Sequence, residues 1–194
     1  MSRETLDIYD ARAADYEAKN ERLYERAEAE AFAAALREGG CVLDLGCGPG
    51  FYAELFQGMG LKAEAWDGSA EMVKLAQARG VAAERHMYDE LEAVARYDGI
   101  WANFSLLHAP KEDFPGLLGR IRRAGKPQMV FHIGMKLGEG EGPDALGRFY
   151  AYYTEDELEG LLREAGFEVT ARRHGAGPGL DGTVAKHVTM LCHG

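Results

Sequence analysis

A strand-like run that ends in three closely spaced glycines constrains this chain more than any other feature. Residues 42–50 read Val-Leu-Asp-Leu-Gly-Cys-Gly-Pro-Gly, and a helix-like pattern follows them. Glycine adopts positive φ values without strain and lets a ligand approach the bare backbone. The helix behind such a loop also presents backbone N–H groups that have no partner within the helix. The pattern therefore predicts a ligand site at the carboxyl end of the first strand.

The spacing of the glycines separates two kinds of cofactor-binding loop. The dinucleotide fingerprint G-x-G-x-x-G, read from Gly46, requires a glycine at position 51, where this chain has Phe51. The chain instead has G-x-G-x-G, with Asp44 two residues before the first glycine. Residues 42–50 thus resemble motif I of the class I S-adenosylmethionine-dependent methyltransferases. This resemblance implies S-adenosylmethionine as the cofactor and methyl transfer as the activity.

Strand and helix signals alternate along the chain. Strands are predicted at 41–45, 61–66, 81–87, 97–103, 128–133, 167–172 and 184–192. Helices are predicted at 3–37, 50–57, 69–79, 111–123 and 154–166, with Ser69 and Thr154 as N-caps and Pro110 at the start of the fourth. Because strands alternate with helices, the sheet is expected to be mainly parallel. The Gly-rich connection 173–183 contains no predicted helix, so the last two strands should pair antiparallel at one edge.

This order of elements is similar to the Rossmann-like methyltransferase fold, an α/β three-layer doubly wound sandwich. The resemblance implies a seven-stranded, mostly parallel sheet with an antiparallel last strand. We expect one domain over 1–194, with 1–37 as an N-terminal helical lid and 41–133 as the cofactor-binding core. Residues 134–194 should supply a substrate-side loop, a helix and the terminal hairpin, and the glycine-rich stretch 134–147 is predicted to be the loop.

Composition excludes several classes of protein. The 194 residues carry a net charge of −10, which argues against nucleic acid as a partner, since phosphates would be repelled. The three cysteines, Cys41, Cys47 and Cys192, form no CxxC pair, so we expect neither a disulfide framework nor a metal site. No apolar run approaches the roughly 20 residues that span a bilayer, and the N-terminus lacks signal-peptide features. We expect a cytoplasmic protein without a membrane partner.

The residues expected to bind the cofactor follow the carboxyl ends of the first four strands. Asp67 ends the second strand, where an acid of a doubly wound fold accepts hydrogen bonds from ribose hydroxyls, although it could simply cap the next helix. The resemblance assigns Asp44 to orienting the glycine loop or reaching the amino group, and the loop N–H groups to the carboxylate. The full set of expected cofactor contacts is Tyr16, Asp44, Gly46, Cys47, Gly48, Gly50, Asp67, Gly68, Ser69, Met72, Tyr88, Asp89, Asn103 and Phe104.

Several of these assignments have a structural alternative. Met72 could pack against the adenine ring or belong to the helix core, and Asp89 could meet the adenine amino group or lie exposed in a turn. Tyr16 belongs to a segment, residues 8–16, that resembles the "YD…A..Y" lid of many small members of the family. It could cover the cofactor or anchor a packed helix. Asn103 and Phe104 follow the fourth strand and are expected beside the methionine portion.

No catalytic triad is visible, and methyl transfer does not require one. A general base is needed only for a protonated acceptor, and the candidates are His108 and His132, each of which could instead be structural. The aromatic run 149–153 could line the acceptor pocket or pack the following helix onto the sheet. We expect a small-molecule acceptor with an N, O or S nucleophile. The alternatives are a non-catalytic cofactor-binding protein and an NAD-dependent oxidoreductase.

Overall fold

The structure, a computed structural model, describes residues 1–20 and 26–194. Seven of its strands form one sheet in the order β3-β2-β1-β4-β5-β9-β8, and β6 and β7 form a separate hairpin. The strands are β1 (Cys41–Leu45), β2 (Lys62–Asp67), β3 (Ala82–Arg85), β4 (Tyr97–Asn103), β5 (Gly125–Lys136), β6 (Glu141–Pro143), β7 (Phe149–Ala151), β8 (Glu168–Pro178) and β9 (Val184–His193). The helices are α1 (Arg3–Ala11), α2 (Ala13–Asn20), α3 (Arg26–Ala34), α4 (Phe51–Gly58), α5 (Ala70–Ala78), α6 (Phe114–Ala124) and α7 (Glu155–Glu164).

The topology confirms the predicted fold class. Strands β1 to β5 pair in parallel, while β9 lies between β5 and β8 and runs antiparallel to both. The order of the strands reverses direction beside β1, and the glycine loop follows β1. In open α/β sheets, ligands bind outside the carboxyl ends of the strands at such a switch point. The topology therefore places the glycine loop where the ligand site of this fold is expected.

Helices cover both faces of the sheet, which makes the three layers. Residues of β1 alternate between the faces: Leu43 and Leu45 join the core with α6 and α7, whereas Val42 joins the core with α3, α4 and α5. Phe32 of α3 and Trp101 of β4 are fully buried in the second core, with ring centroids 5.2 Å apart. Asp44 points to the same side as Val42 and lies between the sheet and α4.

The predicted helix over 3–37 is wrong in its continuity. The chain turns at Arg12 (φ −119°, ψ 20°), so α1 and α2 are separate helices, and α3 ends at Ala34. The part of the prediction that covers residues 21–25 lies outside the described residues. Alanine and charged residues favour helix on both sides of Arg12, but they carry no information on direction. The turn arises because α1 docks onto α5, with Thr5 and Leu6 buried.

Other boundaries also differ from prediction: β5 begins at Gly125 rather than at residue 128, and β8 continues to Pro178 rather than ending at residue 172. Helix α6 begins at Phe114, three residues after the predicted start, because Pro115 rather than Pro110 occupies its first turn. Strand β3 is shorter than predicted. The stretch 134–147, predicted to be a loop, begins with the last residues of β5 and contains β6. Partners supplied by β9 and β7 override the low strand propensity of its glycines.

Among the residues that the structure describes, no helix is long and apolar enough to cross a membrane.

Candidate functional site

The glycine loop between β1 and α4 has a backbone path that side chains would block. Gly46, Gly48 and Gly50 all have positive φ values, of 79°, 52° and 86°. A Cβ atom on Gly46 would lie 2.2 Å from Cβ of Ser105, and one on Gly50 would lie 2.8 Å from Cβ of Ala76. Both separations are too short for real atoms. Glycine is therefore required at both ends of the loop, once for contact with the turn after β4 and once for contact with α5.

Asp67 holds the glycine loop and the start of α5 together. Its Oδ2 accepts a hydrogen bond from the N–H of Gly48 and its Oδ1 accepts one from the N–H of Ser69, both at 2.8 Å. Ser69 itself is the N-cap of α5, because its Oγ accepts from the N–H of Met72 at 3.1 Å. Burial raises the pKa of Asp67 to about 6, although the two N–H donors offset part of that rise. Each carboxylate oxygen still has a lone pair for a further donor.

Asp44 is the most isolated ionisable group near the loop. Its side chain is fully buried, and its Oδ2 has no hydrogen-bond partner in the described structure. Burial raises its pKa to about 8, while the N–H of Ala53 in α4 opposes the rise. A buried carboxylate oxygen without a partner costs free energy unless a ligand supplies a donor or a positive charge. The ammonium group of S-adenosylmethionine supplies both a donor and a positive charge, so the unpartnered oxygen of Asp44 fits the cofactor.

Two adjoining cavities lie against these residues. A small cavity of about 40 Å³ and a larger cleft of about 420 Å³ share part of their lining, which includes Tyr16, Gly46, Gly48, Asn103 and Phe104. Of the other predicted contacts, Asp67, Met72 and Tyr88 line the small cavity, and Asp44 and Cys47 line the cleft. Ten of the fourteen residues that the sequence nominated thus lie around one continuous space.

The remaining four nominated residues lie outside that space. Gly50 and Ser69 support the loop and the helix as described above. Gly68 is a packing position, since a Cβ there would lie 2.8 Å from Cδ2 of Leu6 in α1. Asp89 is exposed and lines neither cavity, which departs from the expected adenine contact. The 3₁₀ turn at Tyr88–Glu90 directs Tyr88 inward, where its hydroxyl donates to the carbonyl of Ser105 at 2.7 Å, and leaves Asp89 on the outside.

Helix α1 is attached to the cofactor side of the sheet through Asp10, a residue that sequence reasoning did not nominate. The Oδ1 of Asp10 accepts from Oγ of Ser69 at 2.5 Å and from the N–H of Glu71 at 3.2 Å. A carboxylate is also favoured at a helix N-terminus by the helix dipole. The cap of α5 and the position of α1 are therefore linked through one hydroxyl group.

Substituting the N-caps of two helices distinguishes the effect of losing a helix cap from the effect of losing the contact between Ser69 and Asp10. We expect Ser69→Ala and Thr154→Ala each to lower the free energy of unfolding by about 1 kcal/mol, because each removes a cap hydroxyl. Only Ser69→Ala also removes one of the two hydrogen bonds that Asp10 accepts, so amide hydrogen exchange in α1 should accelerate in that variant alone. Denaturant unfolding and exchange mass spectrometry measure the two effects. Equal exchange of α1 in both variants would contradict the link.

His108 is fixed in one neutral form by partners on both ring nitrogens. Its Nδ1–H donates to the carbonyl of Phe149 at 2.6 Å, so its Nε2 is the acceptor for the hydroxyl of Tyr9 at 2.8 Å. The Tyr9 oxygen in turn accepts from Nη1 of Arg148 at 3.0 Å. Burial lowers the pKa of His108 to about 3. At neutral pH this histidine is an uncharged link between α1 and β7.

His132 has a comparable environment deeper in the sheet. Its ring stacks on Trp101, with centroids 3.5 Å apart, and its Nε2–H donates to Oδ1 of Asn103 at 3.1 Å. The amide nitrogen of Asn103 then donates to the hydroxyl of Tyr52 at 3.2 Å. Burial lowers the pKa of His132 to about 3. His132 therefore orients Asn103, which lines both cavities at the end of β4.

The side chains of the aromatic run 149–153 lie in two different environments. Tyr150 lines the cleft, while Tyr153 is buried against Phe114 of α6, with ring centroids 5.0 Å apart. The alternation of a strand sends neighbouring side chains to opposite sides. Next to Tyr150 lies Arg148, which is 1% exposed and forms a buried ion pair with Asp144 at 2.6 Å.

Comparison with known proteins agrees with this geometry. The sequence model of a methyltransferase-domain family matches residues 15–172. No curated protein sequence is similar enough to count as a match.

Solved structures show the same fold at low sequence identity. The chain is similar to a Burkholderia thailandensis 1,6-didemethyltoxoflavin-N1-methyltransferase, solved with that compound and S-adenosylhomocysteine. Their TM-score is 0.70 and their identity 24%, over 96% of this chain and 86% of the other. It is also similar to a Haloferax volcanii methyltransferase in complex with the Trm112 activator (TM-score 0.74, 19% identity, 96% of both chains).

A third similar structure is a possible histamine N-methyltransferase of Thermotoga maritima, with a TM-score of 0.71 and 17% identity over 96% of this chain and 98% of the other. The glycine loop, the two acids beside it, the sheet order and the family match over most of the chain all agree. The chain belongs to the methyltransferase-domain family, with the class I fold that uses S-adenosylmethionine as its cofactor.

Proposed function

We propose that this chain transfers the methyl group of S-adenosylmethionine to an N, O or S atom of a small molecule bound in the cleft. The observation that carries the proposal is the arrangement around the glycine loop. There a buried, unpartnered Asp44 oxygen and the Asp67 carboxylate lie on either side of backbone that requires glycine. In this proposal Asp44 receives the amino group and Asp67 the ribose hydroxyls. Asn103 and Phe104 adjoin the methionine portion, and Tyr16 covers it from α2.

The cofactor, when bound, supplies a methyl group on a positively charged sulfur, which is already reactive toward nucleophiles. The protein then has to align the acceptor and exclude water. The cleft of about 420 Å³ is within the size range of pockets that hold small molecules. We propose that residues 1–194 act as one domain in which the N-terminal helices cover this site. We do not expect the chain to bind nucleic acid.

Neither nominated histidine is well placed as a general base in this proposal. Both nitrogens of His108 are already hydrogen-bonded, and the lowered pKa values of His108 and His132 make both rings weak proton acceptors at neutral pH. We therefore infer that the acceptor reaches the site in a form that is already nucleophilic. His108 and His132 act in this account as positioning residues for α1 and for Asn103.

The proposed transfer is tested with methyl-labelled S-adenosylmethionine and a panel of small amines, carboxylic acids, phenols and thiols. We expect label to appear in at least one acceptor class and S-adenosylhomocysteine to form in equal amount. The matched control is Asp67→Ala protein at the same cofactor concentration, which should transfer much less label because it binds the cofactor more weakly. Cofactor binding without transfer to any acceptor would favour the non-catalytic alternative.

A further inference from the structure

Lys136 is the last residue of β5, and its ammonium group lies in the wall of the cleft. Its Nζ lies 4.0 Å from the centroid of the Tyr150 ring, which is a cation–π contact. In the β5–β9 pairing it is opposite His187, which also lines the cleft. The charge of Lys136 therefore faces the space in which an acceptor would bind.

Within the described part of the chain, no carboxylate oxygen lies within 4 Å of this ammonium group. The two acids that act on it from further away have other partners. Asp144 binds Arg148, and Asp181 accepts from the N–H of Thr183 at 3.1 Å. Burial and the nearby Arg148 lower the pKa of Lys136. The group is thus a partly desolvated cation that has no direct ion pair among the described residues, and Asp181 and Asp144 act on it only from beyond 4 Å.

The other lysine and arginine side chains of the cleft each have a direct polar partner, which is a carboxylate for the two arginines and a backbone carbonyl for Lys19. Arg148 pairs with Asp144, Arg173 lies 3.5 Å from Glu28, and Lys19 donates to the carbonyl of Gly179. Among the described cations of the cleft, Lys136 is therefore the one that an external anion would stabilise most. The protein has a net charge of −10. A partly buried cation without a direct ion pair costs free energy, and a bound anion would remove that cost.

Apolar side chains adjoin this cation. Phe104 and Leu107 line the same cleft, and the Tyr150 ring lies under the ammonium group. We propose, on the basis of the function proposed above, that Lys136 binds the anionic oxygen of the methyl acceptor, which is a small organic acid with an apolar body. Among organic acids, a carboxylic acid is already ionised at neutral pH, so its anionic oxygen forms without a base from the protein. This agrees with the absence of a suitable base at His108 and His132.

The direct test follows the Lys136 ammonium group by NMR in protein labelled with ¹³C at lysine Cε. Benzoate is the anionic probe, and benzamide is its neutral counterpart of the same shape. Both are titrated with and without saturating S-adenosylhomocysteine. Lys136→Met assigns the resonance and removes the charge. Lys186→Met is the matched control, because Lys186 is exposed on β9 and does not line the cleft.

We expect benzoate to shift the Lys136 resonance and to raise its pKa, while benzamide does neither and Lys186 does not respond. Benzoate affinity, followed by amide shifts near Tyr150, should fall about tenfold or more in Lys136→Met and remain unchanged in Lys186→Met. Equal responses to the two probes, no response of Lys136, or unchanged affinity in Lys136→Met would each overturn the proposal.

Calorimetric titration of the same proteins with S-adenosylhomocysteine separates this proposal from the proposed function. All three proteins should bind it equally, because this proposal assigns Lys136 to the acceptor and assigns the glycine loop and Asp67 to the cofactor. A failure of S-adenosylhomocysteine to bind would contradict the function. The probe titration without S-adenosylhomocysteine would still decide whether Lys136 is an anion site.

Discussion

Replacing Asp67 with alanine is expected to weaken the binding of S-adenosylmethionine by about 30- to 1000-fold, or about 2–4 kcal/mol. In the function proposed above, the variant loses two charge-assisted hydrogen bonds to the ribose hydroxyls. It also leaves the N–H groups of Gly48 and Ser69 without the acceptor to which they donate in the wild-type protein. The loss therefore acts on the ligand directly and on the shape of the loop. Isothermal titration calorimetry of the folded variant measures it.

Two further variants make the Asp67 experiment specific. Asp67→Asn keeps the size of the side chain and one acceptor oxygen, so its affinity should lie between those of the wild type and Asp67→Ala. Glu92→Ala removes an exposed carboxylate outside the described cavities and should bind the cofactor as the wild type does. Unchanged affinity in a folded Asp67→Ala protein would contradict the role proposed for Asp67.

Replacing Asp44 with asparagine is expected to act in opposite directions on stability and on binding. The buried carboxylate has no partner at Oδ2, so the cofactor-free protein gains from a neutral side chain of the same shape. In the function proposed above, the cofactor also loses the negative charge that receives its ammonium group. We expect affinity for S-adenosylmethionine to fall about 30-fold, or about 2 kcal/mol. Calorimetry on the two proteins measures the difference.

The stability effect of Asp44→Asn depends on pH in a defined direction. Because the folded-state pKa of Asp44 is raised to about 8 from an unfolded value near 4, folding favours the protonated carboxyl. The contribution of the protonated Asp44 carboxyl to folding stability is fully present below about pH 4 and is lost as pH rises through about 8. The cofactor-free variant should therefore match the wild type near pH 4 and exceed its Tm by about 10–20 °C at pH 9, which corresponds to about 5 kcal/mol for a pKa that rises from about 4 to about 8 on folding. Equal Tm values at pH 9 would contradict the burial of an unpartnered Asp44.

The parts of the fold that local sequence patterns determine were predictable. The bounds of β1 and β4 were predicted to the residue, and the caps at Ser69 and Thr154 hold their helices as expected. Each of these features depends on residues within about four positions of one another, such as a hydroxyl and the N–H that it accepts from. The antiparallel end of the sheet also followed from a local fact, the absence of a helical pattern in 173–183.

The parts that depend on distant contacts were not predictable. Tyr9 bonds to His108 across 99 positions and to Arg148 across 139, so no local pattern could join these three residues. Arg148 lies in a Gly-rich stretch without periodicity, and its burial depends on the ion pair with Asp144. The turn at Arg12 likewise depends on docking of α1 onto α5.

The residues nominated for the cofactor side lie close together because their motifs follow neighbouring parallel strands whose carboxyl ends meet. Asp44, Asp67 and Asn103 each end or nearly end a strand of the parallel sheet, and the structure brings all three to the adjoining cavities. The acceptor side has no such motif. Lys136 extends β5 beyond its predicted end, into the stretch that was expected to be a loop. Its role emerges only from what surrounds it in space.

The measurement that tests the central claim most directly is calorimetric titration of the purified protein with S-adenosylmethionine, S-adenosylhomocysteine and NAD in parallel. The account predicts binding of the first two at micromolar concentrations, with no binding of NAD, because Asp44, Asp67 and the glycine loop match the amino acid and ribose portions of those ligands. Binding of NAD in preference to both, or binding of none of the three, would contradict it.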